Sequence, residues 1–267
     1  MECCDLSQLS KLIGSQLKAA TGRRTPGSWN PRNRWRAMDA KMTSMNKWTL
    51  LTVFAVLIGA IALASASGQS DRTLLLQPDN PEVNQRAPDV THVRLETTKG
   101  IIRLEMRRAW APHGVDHFYN LVRHGYYDNA AVFRVLAGRW AQFGINGDPR
   151  VAQLWRSRAI PDDPRVESNV RGTVAFAFKD PNGRTTQLFI NLRDNSATHD
   201  AEPFVPIAKV VRGMDVADAL YSEYGEQAGG GIRAGKQDPV FAGGSEYLKR
   251  NFPRLDYIVK ATIEREP

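Results

Sequence analysis

From His92 onward the chain is cut into short β-type runs that never settle into a strand–helix–strand rhythm, and this limits its possible folds more than any other feature. His92 to Thr97 and Ile101 to Met106 alternate on either side of Thr98-Lys99-Gly100, a hairpin signal. Two further runs within residues 131–144 flank the turn-prone stretch Ala137-Gly138-Arg139, and others occupy Thr173 to Phe178, Gln187 to Leu192, Val205 to Val211 and Tyr257 to Glu264. Pro112 at a first helical turn, apolar Val115, Phe118, Leu121 and Val122 at helical spacing, and Gly125 as a stop predict one amphipathic helix. Asp215 to Tyr221 reads as a second, short one. Eight strands and two helices predict a mainly β fold: a closed eight-stranded antiparallel barrel, which leaves no free edges, capped by two α-helices. Between these elements lie a polar excursion, Pro149 to Val170, and a segment at 222–256 that begins Gly-rich and turns helical, on this reading, at Ser245 to Asn251.

The hairpin in 131–144 carries the most chemistry. If Leu136 pairs with Trp140, antiparallel pairing sets Arg134 opposite Gln142, since paired positions keep a constant sum. Alternation puts both on the face that also carries Val132, Leu136 and Trp140. A five-donor guanidinium beside an amide on an apolar surface suits an amide ligand. The competing reading is a solvent-facing arginine on an edge strand.

Ahead of this domain, four stretches are expected. Residues 1–47 read as a disordered basic leader, with nine Lys+Arg against three Asp+Glu. Trp48 to Ala66 is free of charge, follows Lys41 and Lys47 and ends Ala64-Ser65-Ala66, so 48–66 reads as a signal-peptide core or a single transmembrane helix. Translation from Met42 or Met45 would make it an ordinary signal peptide. Residues 67–89, polar and proline-containing, read as a linker, and 90–267 as the folded domain. Either form of the leader places that domain on the non-cytoplasmic side of a membrane, anchored or secreted after cleavage near Ala66. The leader holds six of the chain's eight net positive charges, so the domain lacks the basic face that nucleic acid requires. Both cysteines, Cys3 and Cys4, also lie there, leaving the domain without a thiol.

Other chemistries fare poorly. Gly230-Gly231-Ile232-Arg233-Ala234-Gly235-Lys236 has phosphate-loop spacing, but Gln237 stands where a Ser or Thr should be and Asp238-Pro239 follows. His113 and His117 are spaced for a metal, yet no Glu follows the first and no third ligand is near. No Gly-x-Ser-x-Gly elbow is present, and His92, His124 and His199 are scattered. No metal, no cofactor and no covalent nucleophile are expected.

The order Phe133-Arg134-Val135, Gln142, Asn182-Gly183-Arg184-Thr185-Thr186-Gln187-Leu188-Phe189-Ile190 and Lys209-Val210-Val211-Arg212-Gly213-Met214-Asp215 resembles the cyclophilin family from about Val90 to Ile263. The resemblance implies a peptidyl-prolyl cis-trans isomerase that needs no cofactor. It would make Arg134 the catalytic arginine, Gln142 its partner and Phe189 the floor of the proline pocket. Trp140 would replace the family's pocket methionine, with Gln187 and Ala177 holding or lining the path of the peptide backbone. Phe133, His199 and Phe204 complete the implied substrate-binding set, Phe133 standing where many members have histidine and His199 where they have an aliphatic residue. Departures are Ala137-Gly138-Arg139 for Pro-Gly-Phe, Ile207-Ala208 for Phe-Gly, and Thr198 for a rim tryptophan whose indole N–H binds the cyclic-peptide inhibitor cyclosporin. The long segments 149–170 and 222–256 resemble those of a bacterial-type subgroup.

The implied chemistry is non-covalent. An X-Pro amide resists rotation by about 18–20 kcal/mol. A guanidinium against the prolyl nitrogen stabilises the lone pair as it leaves conjugation, while an apolar pocket grips the ring. Arginine suits the task because it stays charged and offers a rigid donor fork. The expected partners are proline-containing segments of translocated client proteins, met by a monomer. Two other readings compete: a proline-peptide binding module with little activity, and, more weakly, a lipocalin-like carrier.

Overall fold

A computed structural model describes residues 73–229 and 236–264, all within the unit Ala62–Pro267. The expected leader, the apolar run 48–66 and most of the glycine-rich Gly230–Lys236 motif lie outside the described residues. Among those described, no helix is long and apolar enough to cross a membrane.

Among the described residues, nine antiparallel strands form one sheet. In chain order they are β1 (Val90–Thr97), β2 (Gly100–Arg107), β3 (Ala130–Ala131), β4 (Arg134–Leu136), β5 (Trp140–Phe143), β6 (Thr173–Phe176), β7 (Leu188–Asn191), β8 (Pro206–Arg212) and β9 (Tyr257–Glu264), in the spatial order β3-β9-β1-β2-β8-β6-β7-β5-β4. The expected closed eight-stranded barrel is therefore corrected to a half-barrel of nine. The difference arises at Val132 and Phe133. One stretch that reads as a single strand makes two rungs with β9, at Ala130 and Ala131, and then three with β5, from Arg134 to Leu136. Changing partner splits it into two strands, and these are the two edges of the ladder.

Alternation explains the strands with one wet face. In β1, Thr91, Val93 and Leu95 turn inward, and in β2, Ile102, Leu104 and Met106 do the same. The central strands β6 and β7 are buried throughout, so Thr-Val-Ala-Phe and Leu-Phe-Ile-Asn show no alternation.

The helices are α1 (Pro112–Arg123), α2 (Pro149–Arg156), α3 (Ser196–His199), α4 (Met214–Asp218) and α5 (Asp238–Asn251), the last broken at Gly244. Among the described residues there are thus five, where two capping helices and a helical Ser245 to Asn251 were expected; the last of these falls within α5. Helix α1 buries Val115, Phe118, Leu121 and Val122 as its spacing predicts. Its N-cap residue, Ala111, has no side-chain acceptor. Asp163 supplies one from the 157–170 excursion, accepting from the backbone N–H of His113 and of Gly114, each at 2.9 Å. The excursion is further fixed by buried Arg184, whose guanidinium donates to Asp162 and to the Pro203 carbonyl.

Residues 73–89 do not behave as the expected linker. Leu75, Val83 and Ala87 are buried in the main core. Their polar backbone groups are met by the domain, for Trp155 Nε1 donates to the Leu75 carbonyl at 2.8 Å and the Ala87 N–H donates to Asp116 at 2.9 Å. Pro81 opens one short 3-10 turn, Pro81–Val83, and Asn80 and Asn84 cap its two ends, so these residues fix the chain rather than loosen it.

Candidate active site

The hairpin register places Arg134 opposite Gln142 and Leu136 opposite Trp140. The turn is closed by the Arg139 N–H donating to the Leu136 carbonyl at 2.9 Å, with Gly138 at φ +63°, where a glycine adds no strain. Across the hairpin, Arg134 Nη1 donates to Gln142 Oε1 at 3.0 Å. Gln142 Nε2 donates to Gln187 Oε1 at 2.9 Å, and the Gln187 and Gln237 amides donate to each other at 2.8 and 3.1 Å. The three glutamines are buried, so a relay of amides shielded from water aims the guanidinium.

In front of this relay is a cavity of about 370 Å³, lined by Arg134, Trp140, Gln142, Ala177, Phe178, Phe189 and, at its rim, by Arg139, Arg193, Thr198, His199, Glu202 and Phe204. Its floor is Phe189, against which the rings of Phe204 and His199 pack at 5.4 Å each. His199 also meets Trp140 at 5.5 Å and Phe204 at 4.8 Å, and the Arg134 guanidinium lies 5.3 Å from the centre of the Trp140 ring. Burial pushes the His199 imidazole below its ordinary value, which favours the neutral ring in an apolar wall. Trp140 Nε1 and His199 Nδ1 are buried and without a partner among the described residues.

Of the residues expected from sequence, Arg134, Trp140, Gln142, Ala177, Phe189, His199 and Phe204 are brought together. Two are not. Gln187 lies behind the cavity with its amide committed to Gln142 and Gln237, which corrects its expected place along the peptide path. Phe133 turns away because it alternates with Arg134, and is buried in a separate apolar cluster with Ala228, Phe241 and Leu248. Sequence reading missed Phe178, Arg193, Glu202, Gln237 and Glu226. Glu226 Oε1 accepts from Arg134 Nε at 3.0 Å and from Nη2 as well, although 92 residues separate the two.

Among the described residues, no group of three or more His, Cys, Asp or Glu side chains is placed to hold a metal ion. His117, half of the helical pair, packs against Trp155 and Phe176 at 5.7 and 6.1 Å, and burial lowers its pKa to about 4.

Fold and cavity together define a protein that acts on a peptide amide through hydrogen bonding and apolar enclosure. Residues 92–236 match the family model described as cyclophilin type peptidyl-prolyl cis-trans isomerase/CLD. The chain is 34% identical over 138 residues to peptidyl-prolyl cis-trans isomerase cyp18 of Streptomyces antibioticus, covering 48% of this chain and 81% of that protein. It is 31% identical over 143 residues to peptidyl-prolyl cis-trans isomerase A of Dickeya dadantii, covering 52% and 75%. A probable peptidyl-prolyl cis-trans isomerase of Brucella suis is 28% identical over 226 residues, 79% of this chain and 92% of that protein. The chain belongs to the cyclophilin-type peptidyl-prolyl cis-trans isomerase family.

Proposed function

We propose that this peptidyl-prolyl cis-trans isomerase assists the folding of translocated proteins by rotating X-Pro bonds in extended segments, with Arg134 as the catalytic group. The observation that carries the assignment is the relay: one guanidinium, aimed by Gln142, at the edge of an aromatic cavity large enough for a proline ring. Phe189, Phe204, His199 and Trp140 enclose the ring, and Ala177, small and beside Phe189 on the floor, leaves room for the backbone. Arg134 donates to the prolyl nitrogen as its lone pair leaves conjugation, and the carbonyl side turns. The non-cytoplasmic address rests on the apolar run 48–66 and the basic residues before it.

The binding-module reading draws on one observation, the Glu226 carboxylate on Arg134, since a guanidinium already engaged is less available to substrate. Isomerisation of an Ala-Pro peptide by the purified full chain, beside Arg134→Ala, separates the two. Acceleration lost in the variant supports the enzyme, and equal rates for both proteins refute the role given to Arg134. Sequencing the mature N-terminus tests the address.

A further inference from the structure

We propose that Glu226 is a specificity-determining residue that selects X-Pro segments carrying a basic side chain beside the proline. The inference rests on the isomerase reading above and adds a substrate class to it.

The two neighbours Phe133 and Arg134 hold the segment that bears Glu226 from opposite sides. Phe133 points into the apolar cluster that contains Ala228, and a Cβ on Gly229 would come within 2.6 Å of the Phe133 ring. A glycine is therefore required for the segment to lie this close. Gln237, at the other end of residues 226–237, is tied to Gln187. Arg134 points the other way, into the cavity, and there Glu226 takes its Nε and Nη2 while Gln142 takes Nη1. The Arg134 side chain is 14% exposed and that of Glu226 51%, so the carboxylate is on the solvent side of the guanidinium.

Glu226 and Gln142 take three of the five guanidinium N–H groups, so a substrate that draws on this guanidinium does so beside the Glu226 carboxylate and competes with it for the same charge. A neutral peptide that displaces the carboxylate leaves it without its partner. An acidic peptide sets two carboxylates against one guanidinium. A peptide with Lys or Arg next to the proline brings a replacement cation, and the exchange conserves charge pairing. Arg139 and Arg193 line the cavity rim and form its basic side, so the preference is local to the Glu226 side rather than a property of the whole groove.

The test uses three peptides that differ only in Lys, Gln or Glu at one position flanking Ala-Pro, with the substitution made on each side in turn. Both binding by calorimetric titration and isomerisation are measured for the full chain, Glu226→Gln and Gly229→Ala. On one side of the proline the Lys peptide should bind the wild type about tenfold more tightly than the Glu peptide. Glu226→Gln should compress that ratio to about twofold or less by improving the Glu and Gln peptides. Gly229→Ala, which displaces the segment from Phe133, should do the same with the carboxylate still present. A charge preference identical in wild type and Glu226→Gln, or no preference on either side, overturns the inference. Because binding is read separately, absence of turnover in the wild type refutes the enzyme reading by itself and leaves the charge preference to be judged from the titrations.

Discussion

Gln187 and Gln237 donate to each other through both halves of their amides, 50 residues apart, and Gln187 then accepts from Gln142 at the back of the cavity. The pair ties the start of α5 to the floor of the site. Replacing Gln237 with Leu leaves Gln187 Nε2 buried and unpaired, at a cost of about 1–3 kcal/mol of stability. The freed Gln187 amide also ceases to steady Gln142, so kcat for an Ala-Pro peptide should fall severalfold with KM little changed. Denaturant unfolding and peptide kinetics read the two effects separately. Lost stability with unaltered kcat would make the amide pair purely structural.

Arg134→Lys keeps the positive charge but discards the planar fork that reaches Gln142 and Glu226 together. Losing one charge-assisted transition-state bond should lower kcat/KM by about 2–4 kcal/mol in barrier, roughly thirty- to a thousandfold. Stability should change little, since the Glu226 partner is half exposed. Peptide isomerisation with a thermal melt checks both. A lysine variant as active as the wild type would mean that charge alone suffices.

The protein should lose stability in mild acid through His117. Its pKa falls from an ordinary 6.5 to about 4 because burial disfavours the imidazolium, with the Thr185 backbone opposing weakly. Between those values the unfolded chain binds a proton that the folded chain does not, so stability is full above pH 6.5 and declines as pH falls toward 4. The loss is at most about 3 kcal/mol. Unfolding free energy measured across pH 7 to 4 for wild type and His117→Phe should show a shallower slope in the variant. Parallel curves would remove His117 as the cause.

Asp163→Ala should weaken the attachment of the 157–170 excursion to α1. Two backbone N–H groups, those of His113 and Gly114, lose their acceptor in a place where Asp163 is only 6% exposed. The expected cost is about 1–2 kcal/mol, or a melting point lower by about 2–8 °C, and Asp163→Asn should recover part of it. Calorimetry decides. An unchanged melt would mean that water replaces the carboxylate.

Cyclosporin should bind weakly. Thr198 lines the rim where sensitive relatives of the resemblance carry tryptophan, and its hydroxyl is already spent on the Asn195 carbonyl at 3.1 Å. Trp140 does not stand in, because its ring is held between Arg134 and His199. Exposed Arg139 and Arg193 add charge at the rim that an apolar ring cannot satisfy. Titration should give dissociation constants well above nanomolar. Nanomolar binding would show that another aromatic supplies the missing wall.

What the sequence determined by itself was local. Period-2 alternation located most strands, and once Leu136 pairs with Trp140 across the three-residue turn Arg134 must face Gln142, because hairpin register follows from turn type and loop length. The residue types on that face then named the chemistry. Only the tertiary structure decided which contacts join distant parts of the chain. The change of partner at Val132 and Phe133 turned eight strands into nine, since nothing in a β-type run states which neighbour it will pair with. Prolines in 73–89 looked like a tether, yet Leu75, Val83 and Ala87 found apolar surface on α1 and α2. Glu226 and Gln237 lie 92 and 50 residues from the groups they hold, in a segment whose glycines give no periodic signal. Such pairs form because burying Phe133 and Ala228 together brings their neighbours within hydrogen-bond reach, and burial on that scale is settled by the whole fold rather than by any stretch of it.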